Sequence, residues 1–319
     1  MPIGLGLASS HAPSTRANTV EEWETIHEFL NSNTPQLPET ALETEEVLRE
    51  WIPRMREDWQ ALEDQMKTYK PDLLIIIGGD QREMFDRSLV PNFMIFVGES
   101  AWGDNANFLA GEKSSEETMV RVKVDADASQ HLVGSLVKQG FDVNVSTVQA
   151  AFGRPERGTP HAFIVPAPYL MPKFDIPTVL VYENTYDPPS PTAQRCYDFG
   201  RAIARAFKGD PRRIAIYGSG GLSHNPRGPR SGWIDEPLDR WVLQQIEQGT
   251  PEALTALYKF DSMTMGSGTG EIRSWITVAG AMAEMGQNRG NIVDYIVARK
   301  STTGCGWAFW NVEEPVAAG

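Results

Sequence analysis

Chemically versatile side chains occur in four polar segments of this chain. His11, Gln81 and His224 each lie a few residues after an apolar run, and Glu271 follows the glycine-rich loop 266–270. Polar residues just past the strands of an open α/β sheet are the first place to expect a ligand site. Two imidazoles and one carboxylate on separate loops are the donors of an open site for a divalent metal such as ferrous iron. The residue types therefore indicate metal-dependent chemistry around His11, His224 and Glu271.

Each of these residues also has a simpler explanation. Glu271 could be the acidic residue that commonly begins a helix, with Thr269 as its cap. Either histidine could be a hydrogen-bonded structural residue. Only the combination raises the metal-site interpretation above these alternatives.

Two further residues have reactive side chains. His161, in the segment 159–163 before an apolar run, could face the same cleft or could occupy a turn. Cys305 has no base beside it in the sequence, and its glycine neighbours suit close backbone packing, so we assign it no catalytic role. The glycine-rich segment 218–221 lacks the spacing of nucleotide-binding motifs.

The composition limits the class of ligand. The 319 residues include 42 Asp and Glu against 29 Lys and Arg, for a net charge of −13, and only two cysteines. This charge argues against nucleic acid or an anionic membrane as a partner, and two cysteines exclude a disulfide framework. No apolar run approaches the ~20 residues of a membrane-spanning helix. We therefore expect a cytoplasmic protein that acts on a small molecule, with a local positive feature to offset the negative field.

The alternation of apolar runs and amphipathic stretches predicts an α/β fold, with a central mixed β-sheet covered by helices on both faces. The predicted strands are Ile3–Leu7, Leu73–Ile77, Met94–Val97, Val143–Thr147, Thr178–Tyr182, Arg213–Tyr217 and Asp294–Val297. The predicted helices are Glu21–Leu30, Glu43–Tyr69, Ser129–Gln139, Pro191–Phe207, Glu236–Gln248 and Glu271–Met285.

Two connections in this pattern are unusual. Residues 21–69 form a helical insertion between the first two strands, in which Pro53 predicts a kink or a break into two helices. Residues 101–118 are expected to form a long surface loop. Because no linker or shift in composition divides the sequence, we expect one catalytic domain spanning residues 1–319.

Four motifs, taken together, resemble a known enzyme family. They are Ser10-His11-Ala12-Pro13, Asn-Thr-Tyr-Asp-Pro-Pro at 184–189, Gly-Gly-Leu-Ser-His at 220–224 and Gly-Glu-Ile-Arg-Ser-Trp at 270–275. The chain resembles the class III extradiol ring-cleaving dioxygenases, and is similar in particular to the catalytic β-subunit of protocatechuate 4,5-dioxygenase. The resemblance runs from the first strand to Phe309.

The resemblance implies a non-haem Fe(II) enzyme that uses O2 to open the ring of a catechol-like aromatic diol. It implies that His11 and Glu271 bind the metal, that His224 is an acid/base residue and that His161 lies beside the substrate. It also implies assembly as a homo-oligomer or with a small companion subunit.

Several other residues are weaker candidates. The resemblance places Thr269 and Arg273 near the site, as a cap and a helix-surface cation respectively. Trp102, Phe108 and Tyr186 are aromatic residues that could wall the substrate pocket.

Gln81 departs from the family pattern. Family members commonly carry Asn-Asp-His after the second strand, whereas this chain carries Gly79-Asp80-Gln81. An amide oxygen is neutral, as imidazole is, so a divalent ion could still bind, with lower affinity. Three outcomes stay open: Gln81 binds the metal through its oxygen, His161 or His224 completes the ligand set, or the site no longer serves an iron oxygenase. The last outcome predicts a hydrolase or non-oxidative lyase that uses Zn, Mn or another divalent ion, or a binding protein that has kept the fold.

Overall fold

A mixed β-sheet lies at the centre of the computed structural model, which describes residues 3–31, 33–148, 153, 158–259 and 266–311. The strands, in chain order, are β1 (Ile3–Ser9), β2 (Leu73–Gly78), β3 (Phe93–Phe96), β4 (Ser100–Asp104), β5 (Met119–Lys123), β6 (Asn144–Ser146), β7 (Thr178–Glu183), β8 (Ile214–Ser219), β9 (Asn291–Ala298) and β10 (Thr303–Asn311). β4 and β5 form a separate two-stranded sheet, and the other eight strands form the main one.

The main sheet has the order β6-β3-β7-β2-β8-β1-β10-β9. Its four central strands, β7, β2, β8 and β1, are parallel, whereas β3 is antiparallel to β7 and β10 is antiparallel to both β1 and β9. The central strands read as continuous apolar runs because both of their faces are buried. In β2, the sequence Leu-Leu-Ile-Ile-Ile-Gly is buried throughout.

Helices cover this sheet on both faces. They are α1 (Val20–Asn31), α2 (Glu45–Tyr69), α3 (Ala126–Lys138), α4 (His161–Ile164), α5 (Ala167–Leu170), α6 (Ala193–Ala206), α7 (Glu236–Gln248) and α8 (Ile272–Glu284). Asp125, Thr192 and Asp235 cap α3, α6 and α7, each accepting a hydrogen bond from a backbone N–H of the first turn. Such caps satisfy donors that have no partner within the helix.

Alternate residues of the central strands enter two different apolar cores. Ile75 and Ile77 pack into a core with α3, α6, α7 and α8, while Leu74 and Ile76 pack into a core with α1, α2, α4 and α5. This alternation is the period-2 pattern of a strand. The predicted fold class, a central mixed sheet with helices on both faces and an N-terminal helical insertion, is therefore confirmed.

Most predicted elements are present, and two expectations need correction. Residues 101–118 are not one loop, because they include most of β4 and a turn of 3₁₀ helix at Phe108–Ala110. Pro53 does not break the insertion, since α2 continues through it for 25 residues. The sequence also gave no prediction of β4, β5, β10, α4 or α5. Among the described residues, none of the helices has the length and apolar character needed to cross a bilayer.

The parallel strands bring the polar segments together. β1, β2, β7 and β8 run in the same direction, so the residues that follow them meet at one edge of the sheet. His11, Gln81 and Tyr186 follow β1, β2 and β7, and His224 follows β8. The start of α8 delivers Glu271 to the same edge.

Candidate functional site

A cavity of about 570 Å³ lies at this edge of the sheet. Its wall contains all five side chains in the predicted catalytic and metal-binding sets: His11, Gln81, His161, His224 and Glu271. Its volume is within the range of small-molecule sites, roughly 300–1,000 Å³. The convergence of residues 11 and 271, which are remote in the sequence, is therefore a property of the fold.

Glu271 is the buried carboxylate of the site. It ends the 3₁₀ turn Ser267–Glu271, immediately before α8, and its Oε2 accepts a 2.8 Å hydrogen bond from the Gly221 N–H. Burial tends to raise the pKa of Glu271, but His11, His224 and the Gly221 N–H outweigh it, so that the pKa is lowered. Gly220 has a φ of +110°, and a Cβ there would lie 2.3 Å from Glu271 Oε2. The site thus needs glycine at position 220 for both space and backbone conformation.

His11 faces Glu271 through one ring nitrogen. Its Nε2 lies 3.8 Å from Glu271 Oε2, and its Nδ1 lies 2.9 Å from the Ser219 hydroxyl, at the end of β8. Burial lowers the pKa of His11 to about 3, so the imidazole is neutral at pH 7. A neutral imidazole oriented by a bond to its other nitrogen is the form that binds metals.

His224 is held by its backbone and by its Nδ1. A carbonyl can only accept, so the 2.8 Å contact with the Leu222 carbonyl places the proton on Nδ1 and leaves the lone pair on Nε2. That Nε2 lies 3.6 Å from Glu271 Oε2 and accepts a hydrogen bond from Tyr186 Oη at 3.3 Å. Burial raises the pKa of Tyr186 well above its ordinary value, which keeps this hydroxyl protonated.

Thr269 positions His224 and does not cap α8. Its Oγ1 accepts from the His224 N–H at 3.1 Å, and its own N–H donates to the His224 carbonyl at 3.1 Å. The residue at the cap position of α8 is Glu271, whose side chain makes no capping bond. The expectation that Thr269 caps the helix was therefore wrong, and the residue instead joins the loop 220–224 to the turn 267–271.

Gln81 contacts the same carboxylate. Its Nε2 donates to Glu271 Oε1 at 3.0 Å. The preceding Asp80 accepts from the backbone N–H groups of residues 83, 84 and 85, which fixes the turn after β2. Gly79 is required there because a Cβ would lie 2.2 Å from Thr185 Oγ1. The fold therefore places the Gln81 amide next to Glu271.

The donors around Glu271 fit a divalent ion if Gln81 is one of them. Two donors on one ion, with bonds of about 2.1 Å, lie roughly 3–4 Å apart, a range that contains the 3.8 Å between His11 and Glu271. Within the described ranges, no group of three His, Cys, Asp or Glu side chains is placed to hold a metal ion. The Gln81 amide contacts Glu271 and is a further side chain that could serve as a donor beside His11 and Glu271. Turning that amide about its last bond exchanges its oxygen and nitrogen.

Comparison with known proteins identifies the family. The model of the catalytic LigB subunit of aromatic ring-opening dioxygenases matches residues 34–309. The chain belongs to this family.

Individual curated proteins resemble this chain at modest sequence identity. A 2,3-dihydroxyphenylpropionate/2,3-dihydroxicinnamic acid 1,2-dioxygenase of Photorhabdus laumondii is 27% identical over 190 residues, 59% of this chain and 54% of that protein. A gallate dioxygenase of Pseudomonas putida is 28% identical over 181 residues, 55% of this chain and 51% of that protein. The chain thus spans about half the length of the curated relatives it matches.

The fold is shared with a solved structure. An uncharacterized protein of Escherichia coli K12 superposes with a TM-score of 0.54 at 15% identity, covering 96% of this chain and 99% of the other. At this identity the likeness concerns the fold alone.

Two residues in this LigB-family site were missed by sequence reasoning. Glu83 is buried in the cavity wall, where its Oε2 lies 2.7 Å from His161 Nδ1. Burial alone would lower the pKa of His161, but the Glu83 carboxylate outweighs it and the pKa is raised. The second residue is Arg16, which also lines the cavity. The only sequence signals were their closeness to Gln81 and His11.

Two other expectations about the site need correction. Arg273 is not a helix-surface cation, because it is buried and its guanidinium donates to the Pro191 and Gly270 carbonyls and covers the Tyr258 ring. Phe108 and Tyr186 line the cavity as expected, whereas Trp102 is not among its lining residues in the described part of the chain. Cys305 is buried and its pKa is raised by burial, consistent with a packing role.

Proposed function

We propose that this protein uses O2 to open the ring of a catechol-like diol, as an extradiol dioxygenase with Fe(II) held by His11, Glu271 and Gln81. The observation that carries the proposal is the convergence of these three side chains with His224 on one cavity wall. Membership of the LigB family and the names of the relatives support the reaction class. Assembly as a homo-oligomer or with a companion subunit, and one domain spanning residues 1–319, stay predictions.

The metal-binding part of the proposal rests on donor chemistry. Imidazole, carboxylate and amide oxygen are suitable donors for a divalent ion, and Glu271 is ionised because its pKa is lowered. The chemistry that Fe(II) supplies when bound at such a site is Lewis-acid activation of a diol and redox exchange with dioxygen. The lowered pKa of His11 keeps its imidazole available as a neutral donor.

His224 is the proposed general base. His224 lines the cavity, and its Nε2 carries a lone pair. Its Nδ1 proton is donated to the Leu222 carbonyl. Nε2 would take the proton from one substrate hydroxyl and return it later in the reaction. Tyr186, which donates to the same nitrogen, orients the ring until the substrate hydroxyl replaces it.

His161 is a second proposed catalytic histidine. Its Nδ1 is held by Glu83, so its Nε2 is the nitrogen left for a substrate. The ring meets that of His11 edge-on, with 4.7 Å between centroids. A carboxylate-held imidazole at this place can support a partial positive charge beside the reacting ring.

The test is oxygen consumption with a panel of catechols after anaerobic loading with Fe(II). We expect uptake of one O2 per substrate and a ring-opened product that contains both atoms of isotope-labelled dioxygen. Failure of the iron-loaded protein to consume oxygen with any member of the panel would overturn the proposal. Substrate loss without oxygen consumption would indicate a hydrolytic or lyase reaction instead.

A further inference from the structure

The peptide group between Leu222 and Ser223 connects the His224 ring to a buried carboxyl group. Its carbonyl accepts the Nδ1 proton of His224 at 2.8 Å, and its N–H donates to Asp239 Oδ1, also at 2.8 Å. A trans peptide group is planar, and its N–H and C=O point in opposite directions. The carboxyl group of Asp239, one rigid peptide group and the imidazole are therefore joined by hydrogen bonds in series.

Asp239 acts on the cavity only through this backbone. The Ser223 hydroxyl contacts Asp239 in α7, whereas the His224 ring lines the cavity. Asp239 itself is not among the lining residues in the described part of the chain. The backbone between them also pairs with β10, since the Gly304 N–H donates to the Ser223 carbonyl at 3.0 Å. The segment that carries His224 is thus held from α7 on one side and from β10 on the other.

The Asp239 carboxyl group is itself fixed in place. Its Oδ2 accepts from the Ser223 hydroxyl at 2.8 Å and from the Tyr295 hydroxyl at 2.7 Å. The side chain is fully buried, and a Cβ on Gly304 would lie only 2.1 Å from Oδ2. A buried polar network whose bonds are all made is rigid. Asp239 therefore sets the position of the Ser223 N–H from outside the cavity.

Loss of this acceptor would release the peptide group. A buried N–H is normally hydrogen-bonded, so the Leu222–Ser223 group would turn toward another acceptor. Its carbonyl would then leave Nδ1 of His224, and the hydrogen bond at one ring nitrogen determines which nitrogen carries the proton. A proton on Nε2 would block the lone pair that accepts from the substrate, and a base in the wrong tautomer is ineffective.

We propose that Asp239 is the positioning residue that keeps the His224 proton on Nδ1, acting through the Leu222–Ser223 peptide group. This inference rests on the proposed function, in which His224 Nε2 is the base. The arrangement differs from that of His161, whose Nδ1 contacts the Glu83 carboxylate directly. At His224 the carboxyl group orients the ring through a neutral peptide group.

Three variants of Asp239 and one control separate this role from packing. Asp239→Ala removes the acceptor, and Asp239→Asn keeps an oxygen of similar position for the Ser223 N–H. Asp239→Val, which fills more of the space without an acceptor, gives the same test if the alanine variant does not fold. Tyr295→Phe is the matched control, because it removes one hydrogen bond from Asp239 and leaves the bond to the peptide group.

The first measurement is nitrogen NMR of the isotope-labelled full chain at pH ~8.5, where histidines are mostly neutral. The nitrogen shifts of an imidazole distinguish a proton on Nδ1 from one on Nε2, and His224→Ala identifies the signal of this ring. We expect the Nδ1–H form alone in the unmodified protein, in Asp239→Asn and in Tyr295→Phe. Asp239→Ala should show a mixture of the two forms.

The second measurement is the steady-state kinetics of the iron-loaded proteins. In Asp239→Ala we expect kcat to fall at least about tenfold, KM to stay within about threefold and iron to be retained. Asp239→Asn and Tyr295→Phe should keep kcat within about threefold of the unmodified protein. Recovery in the asparagine variant is the result that a merely space-filling role would not predict.

Other results overturn the inference. Retention of the Nδ1–H form alone in Asp239→Ala would do so whatever the rate, as would an unchanged kcat in that variant. An equal fall of kcat in Tyr295→Phe, or no recovery in Asp239→Asn, would indicate a general effect of packing around α7. Failure of the proposed function gives a different pattern: the unmodified iron-loaded protein consumes no oxygen, while the His224 tautomer still depends on Asp239.

Discussion

Glu271 organises the candidate site at the scale of single residues. One of its oxygens accepts from Gly221 and faces two imidazole nitrogens, at 3.6 and 3.8 Å, while the other accepts from the Gln81 amide. Because its pKa is lowered, the carboxylate stays ionised and can hold a divalent cation. In the proposed function the residues around it have different roles: His11 and Gln81 would bind the metal, and His224 would accept the substrate proton.

Gln81→His should increase the affinity for Fe(II), by about tenfold or more, because imidazole is a better donor than an amide for this ion. The measurement is an anaerobic Fe(II) titration of the metal-free protein. Gln248→His, at the exposed end of α7, is the control and should leave the affinity unchanged. Equal affinities of Gln81→His and the unmodified protein would place residue 81 outside the ligand set.

His11→Ala and His224→Ala should separate metal binding from proton transfer. We expect His11→Ala to lose bound iron on dialysis, measured by metal analysis. His224→Ala should retain iron and lose about 10²–10⁴-fold in turnover, the usual contribution of a general base. His131→Ala, which removes an exposed histidine, should affect neither quantity. Unchanged turnover in His224→Ala would exclude it as the acid/base residue.

At the scale of elements, the turn 267–271 and the loop 220–224 form the wall that carries both Glu271 and His224. They pack so closely that a Cβ on Gly268 would lie 1.9 Å from His224 Cδ2 and 2.0 Å from Nε2. Thr269 joins their backbones by hydrogen bonds in both directions. The position of the proposed base therefore depends on the absence of a side chain in the facing turn.

Gly268→Ala should displace the His224 ring. We expect turnover to fall at least tenfold, iron to be retained, and unfolding to become easier by about 1–3 kcal/mol from overpacking. Gly266→Ala is the matched control, since no atom lies within 4 Å of its added Cβ and its φ is −91°. Steady-state rates and thermal unfolding measure both effects. Full activity in Gly268→Ala would contradict the prediction that turnover depends on the position of the His224 ring.

Pro53→Ala should stabilise the protein through α2. Pro53 is exposed inside this helix, where it removes one backbone hydrogen bond and crowds the preceding turn. We expect a gain of about 1–3 kcal/mol, or roughly 2–5 °C in Tm by calorimetry. Pro237→Ala, in the first turn of α7 where no N–H is needed, should show no such gain. A lower Tm in Pro53→Ala would show that the packing of α2 requires the proline.

At the scale of the whole molecule, the buried Asp239 connects three elements. From α7 it accepts hydrogen bonds from the N–H and hydroxyl of Ser223, next to His224, and from Tyr295 in β9. Burial raises the pKa of Asp239 to about 7. Because folding raises the pKa of Asp239, protonation of its carboxyl group stabilises the folded state. This contribution to the free energy of unfolding is complete below pH ~3.8 and is lost as the pH rises through about 7.

Asp239→Asn should remove this pH dependence. We expect the variant to become more stable relative to the unmodified protein as the pH rises from about 4 to 8, by up to about 4 kcal/mol. Urea unfolding across this pH range measures the difference. His11, whose lowered pKa gives the opposite slope, is present in both proteins and cancels. Parallel stability curves would contradict the assignment of the titration to Asp239.

Residue patterns predicted more of the fold than of the site. The central strands were predicted because burial on both faces makes them continuous apolar runs, as in β2. β10 was not predicted, since its glycines at 304 and 306 weaken any local preference for a strand. Its pairing with β1 and β9 supplies the stabilisation that its own sequence lacks. α4 and α5, at four residues each, are too short for a periodic pattern.

The sequence by itself determined which donors are available: the imidazoles of His11 and His224, the Glu271 carboxylate and, where a histidine is usual, the Gln81 amide. Only the tertiary structure decided which of them meet, because the loops that carry them converge through the parallel pairing of β1, β8 and β2. The pairing of Glu83 with His161 and that of Arg16 with Asn105 are likewise contacts between distant segments. Local sequence cannot specify such contacts, because they form only when sheet and helices pack together.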